Sequence, residues 1–248
     1  MTVVAVIQAR MGSSRLPGKV HLPLDGRPVL EHDIRRARAA EVVDDVVVAT
    51  TFHRRDDLIA RTAESLGSRV YRGSEDDVLG RMWSAADEAE ATTVVRLTGD
   101  NPFVPPQLIS EVADLVENSS YDYASNKVSR TWPIGADAEA FTFESFSRVE
   151  EAAREPHHRE HVTPYYQERD EEFEVTNVTV TDVYGDRSFD AGTELRLTLD
   201  ETDDYLLFRR VYDEVEYDDI IDIHDVVEYI DRHDLGSVNE TVEQRTKW

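Results

Sequence analysis

The sequence predicts an α/β fold in which helices cover both faces of a mixed, mostly parallel β-sheet. Continuous apolar runs, as expected of buried strands, alternate with helix-length stretches that carry one apolar face. This alternation is typical of parallel sheets, because each parallel strand needs a crossover connection that a helix usually provides. A length of 248 residues with 40% hydrophobic residues is enough for one such domain with a substantial core.

The first half of the chain reads as four strand–helix units. Apolar runs predict strands at residues 3–8, 46–50 and 93–98, with a shorter one around Val70 and Tyr71. Helical spacing of apolar residues predicts helices at 29–40, 56–66, 76–89 and 105–117. The last of these helices starts with Pro105 and Pro106, which a first helical turn tolerates.

The second half breaks into shorter segments. Residues 121–194 predict an α+β insertion with a strand at 141–143, helices at 144–154 and 158–169, and an alternating segment at 173–180. A closing strand at 195–199, a helix at 203–214 and a short helix containing 226–230 follow, and 236–248 reads as a loose tail. We therefore expect a single domain over 1–248, divided into 1–120, 121–194, 195–235 and 236–248.

The charge balance excludes one class of partner. Lys and Arg number 27 against 52 Asp and Glu, giving a net charge of −25, and the lysines are Lys19, Lys127 and Lys247. Such a surface repels nucleic acid, whose binding depends on cations that neutralise phosphates. Carboxylates without lysines fit a halophilic source, because molar salt screens their mutual repulsion. The absence of cysteine, of a secretory leader and of an 18-residue apolar run predicts a cytoplasmic protein without a membrane span.

The loop after the first strand, residues 8–19, carries the most informative chemistry. It lies where open α/β sheets bind ligands, beyond the carboxyl end of a strand. The N–H groups of Gly12, Ser13 and Ser14 can form an anion nest, and three cations, Arg10, Arg15 and Lys19, lie beside it. The spacing matches neither a P-loop nor a dinucleotide fingerprint. The loop therefore predicts a polyphosphate site, and a solvated turn whose arginines pair with surface carboxylates is the alternative.

Residues 7–19 closely resemble the opening motif of the cytidylyltransferase family. Within that family the resemblance is closest to the spore-coat polysaccharide protein F branch. The similarity continues in order through residues 73–81, 96–102, 159–165 and 196–200. The resemblance implies a Rossmann-like, GT-A-like nucleotidyltransferase that joins CTP to a sugar acid, releases pyrophosphate and uses Mg²⁺. It also implies a nucleotide-binding first half, an acceptor-binding insertion and dimerisation through that insertion. The resemblance assigns catalytic roles to Arg10, Arg15, Lys19 and Asp100.

Two aspartates are candidate metal ligands. Asp100 follows the strand at 93–98, and Asp200 follows the predicted strand at 195–199, so both project from strand ends. Mg²⁺ bound to a triphosphate needs one or two protein carboxylates. The resemblance assigns metal ligation to both positions, with Glu201 as a departure where Thr is usual. Each aspartate is alternatively a turn or helix cap, as carboxylates near helix starts often are.

The remaining assignments concern the two substrates. For the nucleotide we expect a set around the first loop and the next sheet-end loops: Ala9, Gly12, Ser13, Ser14, Gly73, Asp77 and Thr98. For the acceptor we expect Asn126, Glu139, Arg159 and His161, the last two from the branch's R-E-H segment. His157 and His161 also fit an H-x-x-E-H zinc pattern, for which the sequence identifies no third ligand.

Three functions remain open at this point. The first is a CTP-dependent cytidylyltransferase, and the second is a hexose-1-phosphate nucleotidyltransferase or a nucleotide-sugar glycosyltransferase. Residues 10–15 do not match the usual loop of the hexose-phosphate enzymes, and residues 99–102 lack the second aspartate of a D-x-D motif. The third is a non-catalytic nucleotide-binding protein, which predicts lost cations or carboxylates at the site.

Overall fold

A computed structural model describes residues 1–189, 195–239 and 242. Parts of the predicted insertion (190–194) and of the predicted tail (240–241 and 243–248) lie outside these residues. The strands of the described chain are β1 (Val3–Gln8), β2 (Pro23–Leu24), β3 (Arg27–Pro28), β4 (Asp45–Thr51), β5 (Arg69–Gly73), β6 (Thr93–Thr98), β7 (Tyr123–Ser125), β8 (Glu139–Thr142) and β9 (Val175–Asn177).

The helices lie between these strands and after β9. In the described residues they are α1 (Val29–Ala39), α2 (Asp57–Ser65), α3 (Val78–Glu88), α4 (Pro106–Glu117), α5 (Phe143–Ala152), α6 (Pro156–His161), α7 (Pro164–Glu168), α8 (Val180–Tyr184), α9 (Thr202–Glu214) and α10 (Ile223–Arg232). Short 3-10 turns add Lys19–His21, Arg54–Asp56 and Gly185–Arg187.

The main sheet has the strand order β5-β4-β1-β6-β8-β7-β9. β5, β4, β1 and β6 run parallel, β8 is antiparallel to both of its neighbours, and β9 is parallel to β7. β2 and β3 form a separate two-stranded hairpin. The predicted fold class, a mixed and mostly parallel sheet with helices on both faces, is confirmed.

Alternate residues of β1 supply two cores, one on each face of the sheet. Val3, Ala5 and Ile7 pack into a cluster that includes residues of α1, α2, α4, α9 and α10. Val4 and Val6 pack into a second cluster with residues of α3 and α5 and with the aromatic rings of α7. This period of two is what a strand buried on both faces requires. Among the described residues, no helix is long and apolar enough to span a membrane.

Two of the sequence predictions for the second half are wrong. The helix expected over 158–169 is broken into α6 and α7, because Val162 adopts a left-handed conformation (φ 70°) and Pro164 has no N–H to continue the helix. The strand expected over 195–199 is reduced to one bridge between Arg196 and Ile134. Its backbone N–H groups bond to two separate turns, at Ile134 and Asp100, instead of to one neighbouring strand.

Candidate active site

Two adjoining cavities open at the carboxyl ends of β1 and β6. The first, which we call the loop cavity, has a volume of about 370 Å³ and is lined mainly by residues 8–20 with Arg81, Asp100 and Asp200. The second, the insertion cavity, has about 300 Å³ and is lined by β8 and by residues 127–137 and 161–167. Five residues line both cavities: Arg15, Thr98, Asp100, His161 and Asp200.

The loop after β1 is held in shape by backbone bonds. The carbonyl of Met11 accepts bonds from the N–H groups of Ser13 and Gly18, both at 3.0 Å, which close the loop on itself. The N–H of Met11 donates to buried Asp56 at 2.8 Å and so anchors the loop to the segment after β4. Gly18 has φ 74°, a left-handed conformation that glycine adopts without strain. It precedes the 3-10 turn Lys19–His21, which begins with Lys19.

Lys19 joins the two candidate metal ligands. Its Nζ donates to Asp100 Oδ2 at 2.5 Å and to Asp200 Oδ1 at 2.7 Å. The backbone explains the placement of Asp200, because the N–H of Leu199 donates to the carbonyl of Asp100 at 2.9 Å. The N–H of Asp200 in turn donates to Asp204 at 2.9 Å, which fixes the start of α9. One cation therefore already contacts both carboxylates, although 100 residues separate them in the sequence.

The electrostatics of this cluster favour ionised groups. Burial lowers the pKa of Lys19, but the charges of Asp100 and Asp200 outweigh it, so the pKa of the ammonium is raised. Burial raises the pKa of Asp200, but Lys19, Arg15 and Arg196 more than offset it, so the pKa of this carboxyl is lowered. Arg15 lies 3.1 Å from Asp200 Oδ2, and Arg196 contacts the same oxygen. Asp200 is thus a carboxylate at neutral pH.

The donor set fits a hard divalent cation. Asp100 and Asp200 each direct one carboxylate oxygen at the same ammonium nitrogen. Oxygen ligands of this kind are what Mg²⁺ prefers, with water and phosphate oxygens completing its shell. The pair could therefore hold a divalent cation in the place that the Lys19 ammonium takes in this structure.

Glu139 is the buried centre of the insertion cavity. Its side chain is 2% exposed and accepts bonds from Tyr123 at 2.6 Å and Thr163 at 2.7 Å. Arg96 contacts Oε2 directly, and the Nζ of Lys127 lies 3.5 Å from it. Burial would raise the pKa of Glu139, but Lys127, Arg96 and the two hydroxyls lower it to about 2. The cavity is therefore lined by a group that is a carboxylate at neutral pH and lies between the cations Arg96 and Lys127.

The backbone beside Glu139 connects the insertion cavity to Asp200. Gly135 has φ 96°, and a Cβ built on it would lie 2.4 Å from the N of Thr198. The chain at 134–135 therefore packs directly against residues 195–199, which lead into Asp200. Only glycine fits this approach.

The structure brings together most of the residues assigned to the nucleotide. Arg10, Arg15, Lys19 and Asp100, and with them Ala9, Gly12, Ser13, Ser14 and Thr98, line the loop cavity. Gly73 and Asp77 do not line it. Asp77 instead caps α3 by accepting from Gly80 N at 3.0 Å. Their neighbours Val78 and Arg81 line the cavity in their place.

Two of the four residues assigned to the acceptor do not reach either cavity. Arg159 donates to both oxygens of Asp77, at 2.8 and 2.6 Å, and to Glu150, so it joins α6 to α3. Asn126 is fully buried and bonds to the backbone of Ala136 and Ala138. Glu139 and His161 do line the insertion cavity. Burial, together with the charges of Arg96 and Lys127, lowers the pKa of His161 against the opposing effect of Glu160.

His157 and His161, the two histidines of the zinc pattern, both lie on α6. His161 lines both cavities, and His157 contacts Glu168 at 3.1 Å. His158 contacts the other oxygen of Glu168 at 2.7 Å. The ligand atoms of His157, His158 and Glu168 lie within 4.8 Å of one another, away from the two cavities.

Sequence reasoning missed several residues of the site. Arg96 lies within the apolar strand β6, and Arg81 lies on the buried face of α3; both are almost completely buried. A charged residue inside an otherwise apolar element was the available signal, because buried charges are normally paired or functional. Arg130 and Gln167 also line the insertion cavity, and nothing in their local sequence marks them.

The chain is similar to known proteins in sequence and in structure. The family model described as "Cytidylyltransferase" matches residues 4–233. The spore coat polysaccharide biosynthesis protein SpsF of Bacillus subtilis is 32% identical over 85% of this chain and 86% of its own. A 3-deoxy-manno-octulosonate cytidylyltransferase of Geobacter sulfurreducens is 37% identical over 48% of this chain and 47% of its own. A solved cytidylyltransferase structure from Leptospira borgpetersenii has a TM-score of 0.88 and 30% identity, covering 98% of this chain and 100% of the other.

Proposed function

The chain belongs to the cytidylyltransferase family, and from that premise we propose that it transfers CMP from CTP to a sugar acid or related sugar, with release of pyrophosphate. The observation that carries the proposal is the meeting of two cavities at Asp100 and Asp200, the carboxylates that Lys19 contacts. One cavity is shaped by a cationic, glycine-containing loop, and the other by an insertion with a buried carboxylate and several cations.

We propose that the triphosphate of CTP lies along residues 10–19 in the loop cavity. Arg10, Arg15 and Lys19 then offset the charge of the phosphates, and the N–H groups of Gly12 to Ser14 bind phosphate oxygens. The family match supports cytidine as the nucleoside. Arg81, almost fully buried and lining the same cavity, closes it on the side of α3.

The acceptor is proposed to bind in the insertion cavity. Lys127 and Arg130 give this cavity cations suited to an anionic sugar. Glu139, whose two oxygens already bind Tyr123, Thr163 and Arg96, holds Lys127 at the cavity. The Geobacter sulfurreducens relative is named for a sugar acid, and the Bacillus subtilis relative for a polysaccharide. These names support a sugar acid used in surface polysaccharide or glycan synthesis.

The reaction is an in-line displacement at the α-phosphorus of CTP. The acceptor oxygen forms a bond to the α-phosphorus, the bond from that phosphorus to the bridging oxygen breaks, pyrophosphate leaves, and the hydroxyl proton is released. Lys19 and Arg15 stabilise the leaving charge, so catalysis consists of positioning and electrostatics. A bound Mg²⁺ at Asp100 and Asp200 would supply further positive charge to the phosphate oxygens.

Several expectations from the sequence stay predictions. They are Mg²⁺ as the physiological metal, a cytoplasmic location, a high-salt source, a homodimer formed through the insertion, and the division into a nucleotide-binding and an acceptor-binding part. A non-catalytic role would predict lost cations or carboxylates, whereas Arg10, Arg15, Lys19, Asp100 and Asp200 all line the loop cavity.

The proposal is tested by a pyrophosphate-release assay in molar KCl with Mg²⁺. Each of the four nucleoside triphosphates is paired with a panel of nonulosonic acids, ketodeoxyoctulosonic acid and phosphorylated sugars. We expect turnover with CTP and a sugar acid, and loss of turnover in Asp100→Asn and Asp200→Asn. Turnover only with a hexose 1-phosphate, or with no pair at all, would contradict the proposal.

A further inference from the structure

A single carboxylate beside the loop cavity, that of Glu75, contacts two guanidinium groups and one imidazole. Glu75, in the turn between β5 and α3, accepts bonds from Arg55 Nη2 at 2.6 and 2.7 Å and from Arg10 Nη1 at 3.2 Å. His53 Nε2 lies 2.7 Å from its second oxygen. Glu75 is 18% exposed, whereas Arg10 and Arg55 are 44% and 50% exposed. Two arginines therefore share one partly buried negative charge.

Arg55 lies directly against the loop that we propose for the triphosphate. A Cβ built on Gly12 would lie 2.6 Å from Arg55 Nη2 and 3.0 Å from Glu75 Oε1. The guanidinium therefore occupies the space beside Gly12 that any other residue would fill with its side chain. Because Gly12 and Arg10 both line the loop cavity, Arg55 lies at its edge.

The charge at this edge is opposite to that of the whole protein. The chain carries a net charge of −25. At the cavity edge, in contrast, two guanidinium groups face one carboxylate. A guanidinium fork binds carboxylate and phosphate oxygens with the same geometry, so a phosphate group can take over the contacts that Glu75 makes. A triphosphate offers several negative charges at once and is therefore the stronger competitor.

We infer that Arg55 is a further triphosphate-binding residue, and that Glu75 holds it at the loop until the nucleotide arrives. The inference rests on the proposed function, since it takes the loop as the triphosphate site. On binding, Arg10 and Arg55 exchange Glu75 for oxygens of the terminal phosphates. The nucleoside and the acceptor do not take part in this exchange.

The simpler explanation is a surface ion-pair cluster that binds no ligand and contributes little to stability. The two explanations differ in what they predict for ligands of different charge. A binding role makes Arg55 matter for triphosphates and not for CMP. A structural role affects all ligands equally, or none.

The test measures binding by calorimetry in fixed salt, with inorganic tripolyphosphate, CTP and CMP as probes. Arg55→Gln is compared with wild type and with Arg54→Gln, which changes the exposed arginine next to it. We expect Arg55→Gln to weaken the binding of tripolyphosphate and of CTP about tenfold. The binding of CMP and the melting temperature should change little. Arg54→Gln is expected to stay within about twofold of wild type, and Glu75→Gln to bind tripolyphosphate more tightly by a few fold.

Wild-type affinity of Arg55→Gln for tripolyphosphate would overturn the inference, and so would an equal loss of CMP binding. Failure of wild type to bind tripolyphosphate would overturn it as well. The proposed function fails separately, if tripolyphosphate binds as expected and no acceptor is turned over. If wild type turns over CTP and Arg55→Gln binds tripolyphosphate as wild type does, the role of Arg55 is refuted and the proposed function stands.

Discussion

Replacing Lys19 with methionine should have opposite effects on metal binding and on catalysis. In the structure the Lys19 ammonium occupies the point where Asp100 and Asp200 converge, at 2.5 and 2.7 Å from their oxygens. A divalent cation can contact both carboxylates only when this ammonium leaves. In the proposed reaction the triphosphate offers Lys19 new anionic partners, and this favours release of the ammonium from the two carboxylates.

The size of the effect follows from the two contacts. A hydrogen bond to a charged group contributes about 1.5–3 kcal/mol. The side chains of Lys19, Asp100 and Asp200 are 12%, 21% and 17% exposed, so solvent weakens both hydrogen bonds. The lower end of that energy range is therefore appropriate for each bond. Displacing Lys19 then costs about 3 kcal/mol, or roughly a hundredfold in metal affinity. Turnover should fall about 10²–10³-fold, because the leaving phosphates lose a positioned cation.

The assay is a titration with Mn²⁺ followed by electron paramagnetic resonance, without nucleotide. Lys19→Met should bind Mn²⁺ about a hundredfold more tightly than wild type. Lys19→Arg keeps the charge and should bind like wild type, and Arg61→Met, an exposed change on α2, should also have no effect. Equal or weaker Mn²⁺ binding by Lys19→Met, with a normal melting temperature, would refute the reasoning.

Three other predictions follow from the site and the charge. Glu139, with its pKa lowered to about 2, stabilises the fold above its unfolded pKa of 4.5 and loses this contribution as the pH falls toward 2. Glu139→Gln should therefore reduce the free energy of unfolding by about 3 kcal/mol at pH 7, and denaturant titrations should show this deficit shrinking below pH 4.5; a deficit that does not depend on pH would contradict it. Gly135→Ala should lower stability by about 2–3 kcal/mol and reduce turnover, because its Cβ would meet Thr198 N at 2.4 Å; thermal melts should show no such loss for Gly236→Ala, where nothing lies within 4 Å. The net charge of −25 predicts a melting temperature roughly 10 °C higher in 2 M than in 0.1 M KCl, and an unchanged value would argue against salt adaptation.

The first half of the fold could be predicted from sequence because its elements depend on local patterns. β1 and β6 match their predicted ranges, and α1 to α4 differ by one or two residues at their ends. Buried parallel strands are continuous apolar runs, and their helices have one apolar face, so neighbours in the sequence carry the information. The second half depends on contacts between distant segments. Residues 195–199 are extended and apolar like a strand, but they bond to turns at Ile134 and Asp100.

The site was predictable where charged residues directly follow a predicted strand. The loop cations and Asp100 follow apolar strands, so the sequence alone indicates that they meet at one sheet edge. Partner choice was not predictable. Arg159 lies in a motif that predicts an acceptor contact, but α6 packs against α3 and the arginine pairs with Asp77 instead. Nothing in the sequence near Arg159 indicates this partner.

A crystal structure of the protein with CTP and Mn²⁺ tests the central claim most directly, since the anomalous signal of manganese locates the metal. We expect the triphosphate along residues 10–19, the ion in contact with both Asp100 and Asp200, and the α-phosphate facing the insertion cavity. A nucleotide bound outside the loop cavity, or an ion that contacts neither aspartate, would contradict the claim.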